Sequence, residues 1–112
     1  MKAKPVRLTP HDGYAECSIE EATHVTLNIP GPTGVLTLPV VQGSTTRAGT
    51  GCWTWNGSTD APTLRPSVLT QGTNAKSPTF FRCHSWINDG AAQFLGDCSH
   101  ELAGKTVVLL DV

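Results

Sequence analysis

Glycine and proline interrupt this chain so often that no long helix fits between them. Eleven glycines and eight prolines are spread over 112 residues. Proline removes a backbone donor and fixes φ, while glycine spends conformational entropy that a helix cannot repay. Pro30-Gly31-Pro32, Asn56-Gly57 and Asp89-Gly90 mark turns by their chemistry. Between the breaks, apolar and polar residues alternate with the period of a strand. Over residues 24–29, Val25, Leu27 and Ile29 fall on one face, with Thr26 and Asn28 on the other. Residues 35–41, 52–55, 68–70, 79–87, 91–95 and 106–110 are read as further strands, the last of them buried, with Pro39 demoting the end of its strand to an edge or a bulge. Residues 1–13 read as an extended arm or edge strand, and residues 42–51 as a polar loop. The expectation is a mainly β fold: one small domain over residues 1–112, an antiparallel sheet or sandwich, with a short helical turn at 99–103 ended by Gly104.

Charge narrows the function classes. Eight Lys and Arg against nine Asp and Glu give a net charge of −1, without the cationic cluster that phosphate binding needs, so nucleic acid is not an expected partner. No apolar run approaches the ~20 residues needed to span a bilayer. The start, Met1-Lys2-Ala3-Lys4-Pro5, lacks the apolar stretch of a signal peptide, and a cytoplasmic location is expected.

In that compartment, Cys17, Cys52, Cys83 and Cys98 stay reduced and become candidate metal ligands, catalytic groups or buried side chains. Three of the four histidines lie close to a cysteine along the chain: His24 to Cys17, His84 to Cys83, and His100 to Cys98. With Asp89 and Gly90 as a two-residue turn, Asn88 faces Ala91 and Trp86 faces Gln93. Cys98 then comes back to within a few ångströms of Cys83. Cys17 and His24 face each other if residues 18–23 are a loop between two strands. Two such pairs meeting edge to edge would form a tetrahedral zinc site of the zinc-ribbon kind. Alternation puts Cys83 and His84 on opposite faces, and the softer thiolate is preferred as ligand. The candidate ligands are therefore Cys17, His24, Cys83, Cys98 and His100, with His100 competing against His24 or Cys98. Cys52, beside Trp53 and Trp55, reads as core packing.

Several stretches together resemble the DUF6527 family: Trp53-Thr54-Trp55-Asn56-Gly57, residues 62–67 (PTLRPS), Cys83-His84-Ser85-Trp86, Asp89-Gly90, Gln93-Phe94-Leu95, and residues 97–107 (DCSHELAGKTV). Members are small proteins of bacteriophage and prophage genomes. They commonly open on a Cys-Pro-x-Cys-Gly knuckle followed by a His. Here the first knuckle Cys falls on Cys17 and the His on His24, while the second Cys position holds Glu20. This leaves His24, Glu20 and His100 as alternatives for completing the site. The label "ammonia monooxygenase" that many members carry is excluded, since the chain lacks the His and carboxylate array of a copper or di-iron centre.

These readings imply a phage- or prophage-encoded zinc-binding β domain in the cytoplasm of a bacterial host. Its structural zinc would brace a module that engages a host or phage protein. The alternative is a small zinc-dependent hydrolase in which Asp97 or Glu101 serves as general base to a zinc-bound water, and His84 or His100 as proton shuttle. Coordination number discriminates: four protein ligands for the module, three and a water for the enzyme.

Overall fold

The computed structural model describes residues 1–11, 13–42 and 51–112. The polar loop expected over 42–51 lies largely outside the described residues. Among them, ten strands form two sheets. Strands β1 (Ala3–Thr9), β2 (Gly13–Glu16), β3 (His24–Ile29), β4 (Gly34–Gln42), β5 (Trp53–Trp55) and β6 (Leu64–Arg65) build a six-stranded sheet in the order β2-β1-β3-β4-β5-β6. Strands β7 (Val68–Gly72), β8 (Phe81–Asn88), β9 (Ala91–Phe94) and β10 (Thr106–Val108) build a four-stranded sheet in the order β10-β9-β8-β7. The fold is all-β, as alternation and turn chemistry predict. Every pairing is antiparallel except β4 with β5, which is parallel from Val40↔Trp53 to Gln42↔Trp55.

The prolines explain where strands change partners. The β3 ladder on β4 ends at His24↔Pro39, and the β5 ladder on β4's other side begins one residue later, at Val40. A residue without an N–H thus sits where one ladder hands over to the next. Pro5 takes a similar place: the β1–β2 register starts at Val6↔Glu16, and only the Pro5 carbonyl is used beyond it, accepting from the Cys17 amide at 3.1 Å. β1 pairs on both sides, with β2 and with β3, so it lies inside the sheet rather than at its edge.

Alternating residues of both sheets meet in one core. Val25, Leu27, Ile29, Leu38, Val40, Trp55 and Leu64 come from the large sheet, and Val68, Phe81, Cys83, Ile87, Ala92 and Phe94 from the small one. Leu109 joins them from beyond β10, while Thr106 and Val108 of β10 are exposed. The last strand is therefore an edge with one buried anchor beyond it, not the buried strand expected. Residues 99–104 form bends and turns rather than a helical turn. Their closing bonds reach back three residues, Ala103 N to His100 O and Lys105 N to Leu102 O, and no run of four-residue bonds follows. No helix of the described residues is long and apolar enough to cross a membrane.

The β8–β9 hairpin places the chemistry. Asp89 and Gly90 both have positive φ, 51° and 82°, as a two-residue turn of type I′ requires. The register is the one the turn dictates, with Asn88↔Ala91 and Trp86↔Gln93. A side chain at Gly90 would also meet the Ala61 Cα and the Asp60 carbonyl at 3.2 Å each.

Candidate active site

Strand β8 presents two chemistries on its two faces. Phe81, Cys83, Ser85 and Ile87 point inward and are buried; Arg82, His84, Trp86 and Asn88 point the other way. Ser67, the residue before β7, comes up beside His84 on that outer side. Its Oγ lies 2.8 Å from His84 Nε2. Asp97, in the turn after β9, reaches the other ring nitrogen: His84 Nδ1 lies 3.1 Å from Asp97 Oδ2 and 3.3 Å from Oδ1. A carboxylate accepts only, so the imidazole proton sits on Nδ1, and Nε2 is left to accept from the serine hydroxyl. Ser67, His84 and Asp97 thus form a hydrogen-bonded relay.

Each member is held by its neighbours. The Trp53 indole N–H donates to the Ser67 carbonyl at 3.2 Å. Arg65, two residues earlier, is tied to β8: its guanidinium donates to the Leu64 carbonyl (2.7 Å), the Ile87 carbonyl (3.3 Å) and Asn88 Oδ1 (2.9 Å), and lies 5.2 Å over the Trp86 ring. The peptide of His84 is gripped by Cys98, whose sulfur accepts from the His84 N–H at 3.3 Å and lies 3.2 Å from the His84 carbonyl. The Leu95 amide donates to the same carbonyl at 2.9 Å. Arg82 Nη1 stands 3.8 Å from Asp97 Oδ2, with both side chains nearly half exposed, so screening leaves this contact weak.

Behind the relay, on the buried face, lies a sulfur–nitrogen cluster. The ligand atoms of Cys83, Cys98 and His100 are all within 4.8 Å of one another, close enough to hold a metal ion. A tetrahedral zinc with Zn–S near 2.3 Å needs donor atoms about 3.8 Å apart, so the residues require only a modest contraction. Burial pushes the Cys83 thiol up, and hydrogen bonding with Thr33 and Thr70 pulls it partly back. Burial lowers the His100 pKa. The His100 ring stands edge-on to Phe94 with centroids 5.2 Å apart, its Nδ1 accepts from the Leu102 amide at 3.3 Å, and its Nε2 is buried with no partner.

The other expected ligands fall outside that group. Cys17 follows β2; its thiol is pushed up first by burial and then by Glu21. His24 opens β3, with Nδ1 2.8 Å from Thr23 Oγ1 and the Tyr14 ring edge-on at 5.1 Å. His24 and Cys52 instead line a cavity of about 560 Å³ with Arg7, Glu21 and Pro39. Glu20 and Glu101 are exposed. Ser67 was not among the expected site residues. The two that were, His84 and Asp97, form a hydrogen-bonded chain to a serine hydroxyl and are not part of the sulfur–nitrogen cluster.

Fold and site define a class: a β protein whose Ser–His–Asp relay has the order of contacts found in serine hydrolases. Residues 9–95, well over half of the chain, match the family model described as "Bacterial ubiquitination-like system serine protease (BubE)", and the chain belongs to that family. The match includes Ser67 and His84 and stops just short of Asp97. No curated protein and no solved structure matches the chain. The family finding overturns the resemblance to DUF6527 and, with it, the bacteriophage or prophage origin. It also overturns both functional expectations, the zinc-braced interaction module and the zinc-dependent hydrolase, because the family is one of serine proteases.

Proposed function

We propose that this chain is a serine peptidase of a bacterial ubiquitination-like system, with Ser67 as nucleophile, His84 as general base and acid, and Asp97 as the residue that orients His84. The observation that carries the reading is the continuous contact from Ser67 Oγ through both nitrogens of His84 to Asp97, at 2.8 and 3.1 Å. Ser67 Oγ attacks the carbonyl carbon of an amide while its proton passes to His84 Nε2. The C–N bond then breaks as Nε2 returns that proton to the departing amine, leaving an ester on Ser67. Water, deprotonated by the same Nε2, attacks the ester, and the carboxylic acid leaves as Ser67 recovers its proton. Among the described residues no group accepts from the Ser67 amide, which leaves this N–H to donate to the oxyanion. The substrate and partner are proteins, in keeping with the family description.

The test is labelling by a fluorophosphonate followed by peptide mapping. Ser67 takes the label in the native chain, and Ser67→Ala loses it together with amide or ester hydrolysis, by a factor of about a thousand or more. A label on another residue, or full activity in Ser67→Ala, removes the assignment.

The buried cluster is a zinc site in this reading, with Cys83 and Cys98 as thiolates and His100 as the imidazole ligand; three protein ligands leave the fourth position of the tetrahedron to water, while the serine hydroxyl of the relay, not that position, carries the proposed chemistry. The orphaned His100 Nε2 supports it. Ligation through Nε2 moves the ring proton to Nδ1 and gives up the bond from Leu102, a cost of about 1 kcal/mol against the far larger free energy of zinc binding. The ion would brace the backbone that carries His84 and Asp97, both neighbours of ligands in the chain. A bacterial cytoplasm, where the four unpaired cysteines stay reduced, suits such a site. Purified without chelator, the protein carries about one equivalent of zinc, and Cys83→Ala with Cys98→Ala abolishes it; zinc below a tenth of an equivalent in native protein excludes the site.

A further inference from the structure

Strand β7 is the outer strand of the small sheet, and it starts one residue after the nucleophile. Which of its backbone groups face outward follows from β8. The His84 N–H and carbonyl are turned away from β7, toward Cys98 and Leu95. The Arg82 N–H and carbonyl are likewise taken by Ser99. In an antiparallel ladder, the partners of such residues turn their own groups outward. Leu69 pairs with His84 and Gln71 with Arg82, so the N–H and carbonyl groups of Leu69 and Gln71 point off the open edge. No described residue pairs with them.

Open edges invite pairing, and proteins guard the ones they do not use with charge or proline. β6, the neighbouring edge of the large sheet, ends in Arg65 and runs into Pro66. β10 follows Lys105, and β2 ends in Glu16. β7 carries Val, Leu, Thr, Gln and Gly, with no charge and no proline. Its Leu69 side chain is on the same face as His84 and is 48% exposed. The one unguarded edge among these is the one that leads to Ser67.

We infer that the open edge of β7 is the substrate-binding strand: an extended polypeptide segment adds to it as a further strand, exchanging main-chain hydrogen bonds with Leu69 and Gln71. Two strand residues span about 6.8 Å, so a segment bonded to Leu69 brings the carbonyl two residues along up to Ser67. Main-chain pairing gives binding without demanding a particular side chain, and the Leu69 side chain favours an apolar one above it. This inference rests on the serine-peptidase reading, and its test separates the two.

The probes are a tetrapeptidyl diphenyl phosphonate mixture of randomised sequence, the same mixture with N-methylated backbone amides, and a small alkyl fluorophosphonate with no peptide. Two main-chain hydrogen bonds are worth about ten- to a hundredfold, so Ser67 of the native chain reacts at least about tenfold faster with the amide mixture than with its N-methylated counterpart. Leu69→Pro removes one outward N–H at a position where an edge strand tolerates proline. It cuts the rate with the amide mixture about tenfold and leaves the small fluorophosphonate rate unchanged. Equal rates for the amide and N-methylated mixtures on the native chain, a comparison needing no variant, overturn the inference. So does a Leu69→Pro effect confined to the sedimentation of a dimer, which assigns the edge to a second copy of the chain. Failure of the fluorophosphonate itself to label Ser67 instead defeats the peptidase reading.

Discussion

At the scale of the residue, Asp97 decides which nitrogen of His84 is basic. It accepts from Nδ1 at 3.1 Å, so the Nε2 lone pair faces Ser67. An asparagine of the same shape can turn its NH₂ toward Nδ1, which then becomes the acceptor and moves the ring proton to Nε2, against the serine. Asp97→Asn is therefore expected to fold as the native chain does, keep its thermal midpoint within a few degrees, and lose about three to four orders of magnitude in kcat, because the histidine then holds the wrong tautomer. Wild-type kcat in that variant, measured on any ester that acylates Ser67, makes Asp97 a bystander. The sequence points to His84 and Asp97 only as shuttle and base for a zinc-bound water, a role the family overturns; their contact with each other emerges only from the structure. Ser67 does not stand out, because a serine after Arg65-Pro66 reads as one more turn residue until β7 is laid against β8. The cysteines point to a different cluster: Cys83 and Cys98 do approach each other, Cys83 from the buried face of β8 and Cys98 with its sulfur against the His84 peptide, whereas the relay stands on the outer face.

At the scale of the element, the two hairpin connections of the small sheet differ in what sequence can say about them. Between β8 and β9 the turn has two residues, both of positive φ, and this length fixes the register residue by residue. Between β7 and β8 lie residues 73–80, too many for a tight turn to set the pairing; Asn74 reaching the Pro32 and Thr33 carbonyls and Thr70 bonding Thr33 help to hold it instead. Those are contacts between distant segments, which periodicity cannot reveal. The same limit hid the parallel β4–β5 pair. The legible hairpin is also the exacting one, since Gly90 combines a φ of 82° with backbone at 3.2 Å on the side where a Cβ would stand. Gly90→Ala is expected to cost about 2–3 kcal/mol, from left-handed strain and from displacing Asp60 and Ala61. With a urea m value of about 1–2 kcal/mol/M for a chain of this size, the unfolding midpoint falls by more than about 1 M. A shift below about 0.3 M shows that the turn relaxes freely. Because β9 leads directly to Asp97, hydrolytic activity falls with it.

At the scale of the whole molecule, acid should open the fold from two places. Burial lowers the His24 pKa, so the folded state prefers the neutral ring and the unfolded chain binds the proton more readily. His100 behaves in the same way while metal-free. For a histidine shifted down, the stability is complete above the unfolded value, near 6.5, and is lost as pH falls from there through the lowered folded value. Asp111 acts further down the scale. Its hydrogen bond and charge contact with Lys2, joined by the terminal ammonium of Met1, hold the carboxyl below its usual value. That contribution is present above 3.8 and is lost as pH falls through the lowered value. The pair also ties the chain's two ends together, beside the Val112 amide on the Met1 carbonyl at 3.0 Å. Each group thus favours the folded state at the higher pH. The thermal midpoint is expected to be level between about pH 7 and 8, to fall as pH drops below about 6.5, and to fall again below 4, with His24→Gln flattening the first descent and Asp111→Asn the second. A midpoint that rises on acidification between pH 7 and 5, in zinc-free protein, contradicts the assignment of His24 and His100 as partly buried rings that the fold keeps neutral. With zinc bound, the descent near pH 6 should steepen, because protons then compete with the metal for Cys83, Cys98 and His100 as well.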